Sequence, residues 1–457
     1  MKWLKDCIHE YIEQTKNIQV SLLEYIDDEA NSDTDFQFLD NQFILCNRYK
    51  FKTLLSMIIQ ISNNRLRQAN FFDKIEKILD HIKNYIQKHF TNYEIFKIFE
   101  SNKRILLFLI NSKILILNDQ IISDIKTNDY LKNYFSPEIG LQDDDLLKNP
   151  EYFEENRKNG ENESYICKLI REDSIDTFIA YLAKTSISFT STINPSFFET
   201  NSFLINKTPS LIEYASFYGS IQIFNYLLSK GVKLTSTLWL YSIHSNNAEI
   251  IQILEENQIK PDDFSEVCKE SIKCFYRQIE EHIKDNYLIE KVDMTYLHFQ
   301  FYNFDFDIEE ISDIKSLFFA FVKSDYPYFV DLFLQKKIDC FVNEYLPPIK
   351  DDESDDVEYT PLIYSCDKGH FDMVDVLLKF NNIDVNKLSR TISGVQKTAF
   401  YVSVERENIL CIKKLINKDD TDVNIPSIQE YIIGDFSKNM IYSPLFIAVK
   451  KGNIEII

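Results

Sequence analysis

TPLIYSCDKGHFDMVDVLLKFNNIDVN, residues 360–386, reads as a helix, a tight turn, a second helix and an extended turn. Thr360 is placed to cap the first helix, since its hydroxyl can accept from an orphan N–H. Pro361 follows at the first helical position, where its missing N–H costs nothing. Leu362 begins an apolar stripe, and Ser365 and Cys366 are small enough for another helix to approach. Gly369 can close the helix in the left-handed conformation. His370 and Phe371 open the second helix, whose Val374, Leu377 and Leu378 recur at helical spacing. A single hairpin of this kind exposes an apolar stripe that it cannot bury alone, so it predicts neighbours of the same kind.

The pattern recurs. Aligned four positions before the inter-helix turn, copies fall at Leu169, Ala215, Ser242, Ser271, Ala320, Ser365, Ser403 and Ala448. Their spacing straddles the ~33-residue ankyrin period, with the excess in inter-repeat loops. The match is good where the helices lie, in LIEYASFYGSIQIFNYLLSKG at 211–231, LWLYSIHSNNAEIIQILEEN at 238–257 and SLFFAFVKSDYPYFVDLFLQKK at 316–337, and TAFYVSVERENILCIKKLINKDDTDVN at 398–424 and SPLFIAVKKGNIEII at 443–457 follow. These residues resemble the ankyrin repeat, with Thr360, Pro361, Leu362, Gly369, His370, Leu377 and Leu378 as its structural positions. His370 lies where such repeats often carry His. The resemblance implies a protein-binding surface on hairpin tips and inner helices. Two departures stand out. Thr208-Pro209 comes two residues earlier than the motif has it, and 264–292 has neither Thr-Pro nor a turn Gly. FFDKIEKIL, IFESNKRILLFLI and YICKLIREDSIDTFIAYL also resemble protist ankyrin proteins with an uncharacterised helical region ahead of the repeats; that resemblance implies no catalytic activity or ligand.

The rest of the chain fits an all-α protein: a helical N-terminal domain at 1–150, divergent helix pairs at 160–343, and ankyrin repeats at 359–457 forming an α-solenoid with short hairpin turns. Amphipathic patterns predict helices over about 3–27, 43–61 and 71–90, with Asn92 and Ser101 as N-caps of the next two. Lys103 and Arg104 read as solvating a helix start. Pro137 and Asp143–Asp145 suggest a boundary near 150, and the polar stretch EENRKNGENES precedes the repeats. KKGNIEII stops partway through a second helix, which predicts an incomplete last repeat, and a partial gene product as its source.

Composition excludes several functions. A net charge of −21 and a pI near 4.9 disfavour nucleic acid and anionic membranes, both of which need basic patches. No apolar run reaches the ~20 residues of a membrane span. The N-terminus lacks a secretory apolar core, so a cytoplasmic location is expected. The eight cysteines form no CxxC pair and read as reduced, mostly buried thiols. The seven histidines show no HExxH or paired Cys/His spacing, and no Walker loop or GxSxG elbow is present. No catalytic, cofactor or metal residue is therefore assigned.

Two segments are candidates for contact. NEYLPPIKDDESDDVE at 343–358 is acidic, and Asp351, Asp352, Glu353, Asp355 and Asp356, with the adjoining Tyr359, would suit a partner with a basic surface. A solvated loop is the plainer use of such a run. TYLHFQFYNFDFDI at 295–308 alternates aromatic and polar residues, which suggests an extended segment; packing against adjacent helices is its commoner use. The function expected is non-enzymatic protein binding by a scaffold or adaptor. The alternatives are a ligand or catalytic site in the N-terminal helical domain, or a self-associating spacer.

Overall fold

The computed structural model describes residues 2–28, 36–66, 70–141, 149–288, 294–306, 314–338, 341–347, 357–391, 395–433 and 436–457. These residues are mostly helical and fall into two compact units, residues 14–306 and residues 1–13 with 307–457. The first helix, Lys2–Asp27, contributes residues to both.

In the unit 14–306, the helix Arg48–Asn64 is buried along most of its length. It starts where the Asn47 side chain accepts from the amides of Tyr49 and Lys50, at 3.0 and 3.1 Å. The helix expected over 71–90 is two, Phe71–His81 and Lys83–His89. Ile82 leaves helical dihedrals at ψ 5°, and Tyr85 N–H bonds its carbonyl three residues back. This one tightened step keeps Ile75, Ile78, Leu79, Ile82 and Ile86 all buried.

The next two N-caps each lie one residue from the expected position. Thr91 caps Asn92–Phe99 in a reciprocal box with Glu94. Asn102, not Ser101, caps Lys103–Asn111, its Oδ1 accepting from Ile105 at 3.0 Å. Lys103 and Arg104 do not solvate that helix start. The Lys103 ammonium lies 4.1 Å over the Tyr130 ring and donates to the Phe197 carbonyl. Arg104 stacks over Phe72, pairs with Glu76 and donates to the Lys158 carbonyl. Both side chains use their length to fasten distant loops from inside.

The polar stretch after 150 is likewise structure. Its first half belongs to the helix Pro150–Asn159, and Arg157 is buried between Glu138 and Glu154 at 2.8 and 2.6 Å. The first part of the aromatic segment is a helix, Thr295–Gln300, 301–306 follow without regular structure, and Phe299, Phe304 and Phe306 are buried. Packing is their use.

Helix pairs repeat through both units, each joined by a residue with positive φ: Asp173, Gly219, Asn246 and Phe275 in one, Asp325, Gly369 and Glu407 in the other. In most of them the next amide reaches back five residues, as from Ser220 to Ala215 (2.9 Å), Tyr276 to Ser271 (3.0 Å) and His370 to Ser365 (2.8 Å). That bond is what a left-handed cap makes available. It explains how 264–292 turns without glycine: Phe275 takes φ 62° itself. It also moves one expected anchor, since Tyr326 bonds Phe321 rather than Ala320.

Strands are few among the described residues. Val357–Glu358 pairs antiparallel with Arg390–Thr391, and Ser427–Ile433 pairs with Phe436–Tyr442 in a longer hairpin than helical periodicity suggested. In the unit that holds them, Tyr11 packs against Tyr328 and Phe329, with ring centroids 5.0 and 4.9 Å apart.

Candidate functional site

The stretch 360–386 is held in the way its residues dictate. Thr360 Oγ1 accepts from the Ile363 amide at 3.3 Å, and Pro361 opens the helix Pro361–Lys368. Ser365 is fully buried and donates to the Pro361 carbonyl at 2.8 Å. Gly369 has φ 72°, and a Cβ there would lie 3.2 Å from Asn408 Oδ1. Leu362 and Leu377 are buried and Leu378 half-buried. His370 stands at the N-cap position of the second helix, without a side-chain capping bond, and its Nδ1 lies 4.0 Å from Asp325 of the preceding repeat's turn.

Of the acidic contact candidates, Asp351, Asp352, Glu353, Asp355 and Asp356 lie outside the described residues. Tyr359 is half-buried, and its carbonyl accepts from Leu346 N–H at 2.8 Å.

Sequence periodicity passed over the polar staples between repeats. Asn343 donates to the Asn382 carbonyl (2.6 Å) and accepts from the Asp384 amide (2.9 Å). Asn386 does the same one repeat on, to the Asp420 carbonyl (2.7 Å) and from the Asp422 amide (2.9 Å). The signal was present as the recurring Val-Asn in FVN, DVN and DVN, ending at Asn343, Asn386 and Asn424. At the helix turns, Asn408 donates to the Cys366 carbonyl and Asn247 to the Gly219 carbonyl. Asp173 accepts from the Gln222 and Ile223 amides, both at 3.0 Å, and so caps a helix of the following repeat. Charged pairs add to this, with Arg406 2.8 Å from Asp367 and Lys414 3.0 Å from Asp375. Burial would raise the Asp375 carboxyl, but the bonds and charge of Lys379 and Lys414 outweigh it and hold it at about 2.

Among the described residues, potential metal ligands meet at one place, where His244 comes up against Glu270 and Cys274 of another helix. His244 Nε2 lies 2.9 Å from Glu270 Oε1, and Cys274 Sγ lies 3.4 Å from His244 Nδ1. These groups are already engaged. Burial holds the imidazole neutral, Glu270 takes its Nε2–H, and Lys273 bonds the same carboxylate at 3.1 Å. Burial raises the Cys274 thiol well above its ordinary range, so it stays protonated, which is not the form that ligates. The Phe203 and Phe217 rings cover the imidazole at 4.4 and 4.6 Å. The cluster works as a largely buried polar joint between the helices Leu238–Ser245 and Phe264–Lys273.

A cleft of about 630 Å³ runs beside Phe72, Glu76, Arg104, Phe108 and Lys158. Its one buried cation, Arg104, is committed to Glu76 and the Lys158 carbonyl. No helix among the described residues is long and apolar enough to cross a membrane.

Residues 318–427 match the family model described as ankyrin repeats (3 copies). No curated protein matches the chain. Among solved structures, the human ASB11 ankyrin repeat domain is 13% identical, covering 57% of this chain and 100% of that one, with a TM-score of 0.22. At so loose an overlap, the assignment of the repeats rests on the family model and on the turn geometry above.

Proposed function

We propose that this ankyrin-repeat protein is a non-enzymatic scaffold or adaptor that binds a protein partner on its stacked hairpins. Ankyrin repeats are in general protein–protein interaction modules. The observation that carries the reading is the set of side-chain staples joining successive loops, from Asn343 to the 382–384 loop and from Asn386 to the 420–422 loop. A surface whose loops are fixed before contact loses less ordering entropy on association. The net charge of −21 and the acidic run through Asp351–Asp356 favour a partner with a basic face, and a cytoplasmic location accords with reduced cysteines.

Three observations support leaving catalysis out. The His244–Glu270–Cys274 cluster has its imidazole and thiol fully buried, the Arg104 cation of the cleft is paired with Glu76, and the histidine spacing forms no motif. Crosslinking in native extract, with the crosslinked residues mapped by mass spectrometry, tests the proposal. The expected result is a recurrent partner joined at loop and hairpin-tip residues of 341–424. Crosslinks scattered over the outer helices would defeat the surface assignment, and concentration-dependent sedimentation with no partner would favour a self-associating spacer.

A further inference from the structure

In the unit 14–306, where the loop before the helix Leu211–Tyr218 meets the helix Leu238–Ser245, two rings form a corner. Phe203 and Tyr241 have centroids 4.9 Å apart and planes at 85°. Phe203 also packs against His244, at 4.4 Å, and Phe217, at 6.0 Å, so its ring is fixed in place. The corner holds a cation. The Lys207 ammonium lies 3.2 Å from the Phe203 centroid and 5.8 Å from that of Tyr241.

This resident cation is loosely kept. Lys97, which likewise lies over two rings, is held by Glu100 at 3.0 Å and Asp124 at 3.3 Å. Lys207 makes no ion pair among the described residues. Burial lowers its ammonium below the usual range, and the attraction of Glu270 and Glu213, opposed by Lys273, does not restore it. A cation over a ring is held weakly when no carboxylate shares it. The residue is exposed, so its side chain can swing into water and leave both rings open.

We infer that this corner is a cation subsite, shut by Lys207 in the free chain and taken on association by an arginine side chain of the basic partner. The inference rests on the reading of a basic protein partner given above and names what that partner must present. A guanidinium is flat and weakly hydrated and carries donors around its edge, so it can stack on a ring and still reach a carboxylate. Glu213 and Glu270 both act on the position that Lys207 occupies, and so favour an incoming cation there.

Saturation-transfer NMR on the full chain, titrated with N-acetyl-arginine amide, tests the subsite. Lys207→Ala should bind this probe at least fivefold more tightly than the unsubstituted chain. The uncharged isostere, N-acetyl-citrulline amide, should show no such gain. Adding Tyr241→Leu, or Glu213→Gln with both rings kept, should remove at least half of it. Lys230→Ala, which takes away a lysine lying over Tyr226, should leave the affinity unchanged. No gain in Lys207→Ala would overturn the inference, as would an equal gain with citrulline or in Lys230→Ala, or a gain that both added substitutions leave intact. A basic partner recovered by crosslinking whose affinity ignores Lys207→Ala would overturn the subsite and leave the scaffold reading standing.

Discussion

At the scale of single residues, the turns decide where strain is held. Gln258 has φ 56° and is exposed, and an L side chain in that region costs about 1–2 kcal/mol. Gln258→Gly is expected to stabilise the chain by roughly 0.5–1 kcal/mol once the entropy of glycine is set against that relief, read from urea unfolding. Gly369→Ala should do the reverse and cost roughly 1–2 kcal/mol, because it adds the same strain and a Cβ 3.2 Å from Asn408 Oδ1. A buried carboxylate gives a pH signature. Burial alone would raise Glu270, but His244 and Lys273 bring it down to about 2, against an unfolded value of ~4.3. A depressed carboxylate stabilises the fold above its unfolded value and loses that contribution as pH falls towards 2. Glu270→Gln should therefore lower stability at pH 7, by roughly 3 kcal/mol if it acts as a broken buried pair. It should also flatten the pH dependence between about 4 and 2, as thermal melts across that range would show.

Elements carry the next level. Leu377 is buried in the helix Phe371–Leu377, and Leu377→Ala should cost roughly 2–5 kcal/mol through the cavity left behind. Hydrogen exchange should quicken first in the repeats flanking 360–386; uniform loss of protection over the whole chain would contradict stepwise stacking. Asn386→Ala leaves the Asp420 carbonyl and the Asp422 amide without their partner and should cost about 1 kcal/mol per bond, with exchange rising in the 420–424 loop. At this scale the sequence was most readable where one residue does one job. Thr360, Pro361 and Gly369 announced a cap, a start and a stop, and the structure uses them so. It was least readable where a side chain answers to something distant. Lys103 and Arg104 carry the composition of an exposed helix start, yet their partners lie at Phe197 and Lys158. Phe275 has no local preference for a left-handed turn, yet takes φ 62° where the helix pair must reverse. His244 meets Glu270 and Cys274 only after two helices stack, so no spacing rule could bring it to them.

For the molecule as a whole, charge and repetition set the behaviour expected in solution. A chain of net charge −21 that binds a basic partner should associate more slowly as salt is raised, because screening shortens the reach of its field to about 8 Å at physiological ionic strength. Stopped-flow association at 0.05 and 0.5 M salt should show at least a tenfold fall in on-rate, with a smaller change in off-rate. A rate indifferent to salt would remove charge from the account of partner choice. How the repeats stack was legible in their apolar spacing; what fastens them was not, since asparagine at a loop end looks like any turn residue until the next loop is beside it.

The asparagine bridges also bear on how the chain answers a pull. Asn343 and Asn386 bind each loop to the next with two short bonds, away from the buried helix contacts. Stretched between its ends, the array would feel tension joint by joint, and each bridge must rupture before its hairpin can peel away. Extension would then advance in discrete steps, one per repeat, with each hairpin able to snap back while the bridge behind it holds. Fastened in this way, a hairpin is expected to yield to tension later than one held by its helix contacts alone.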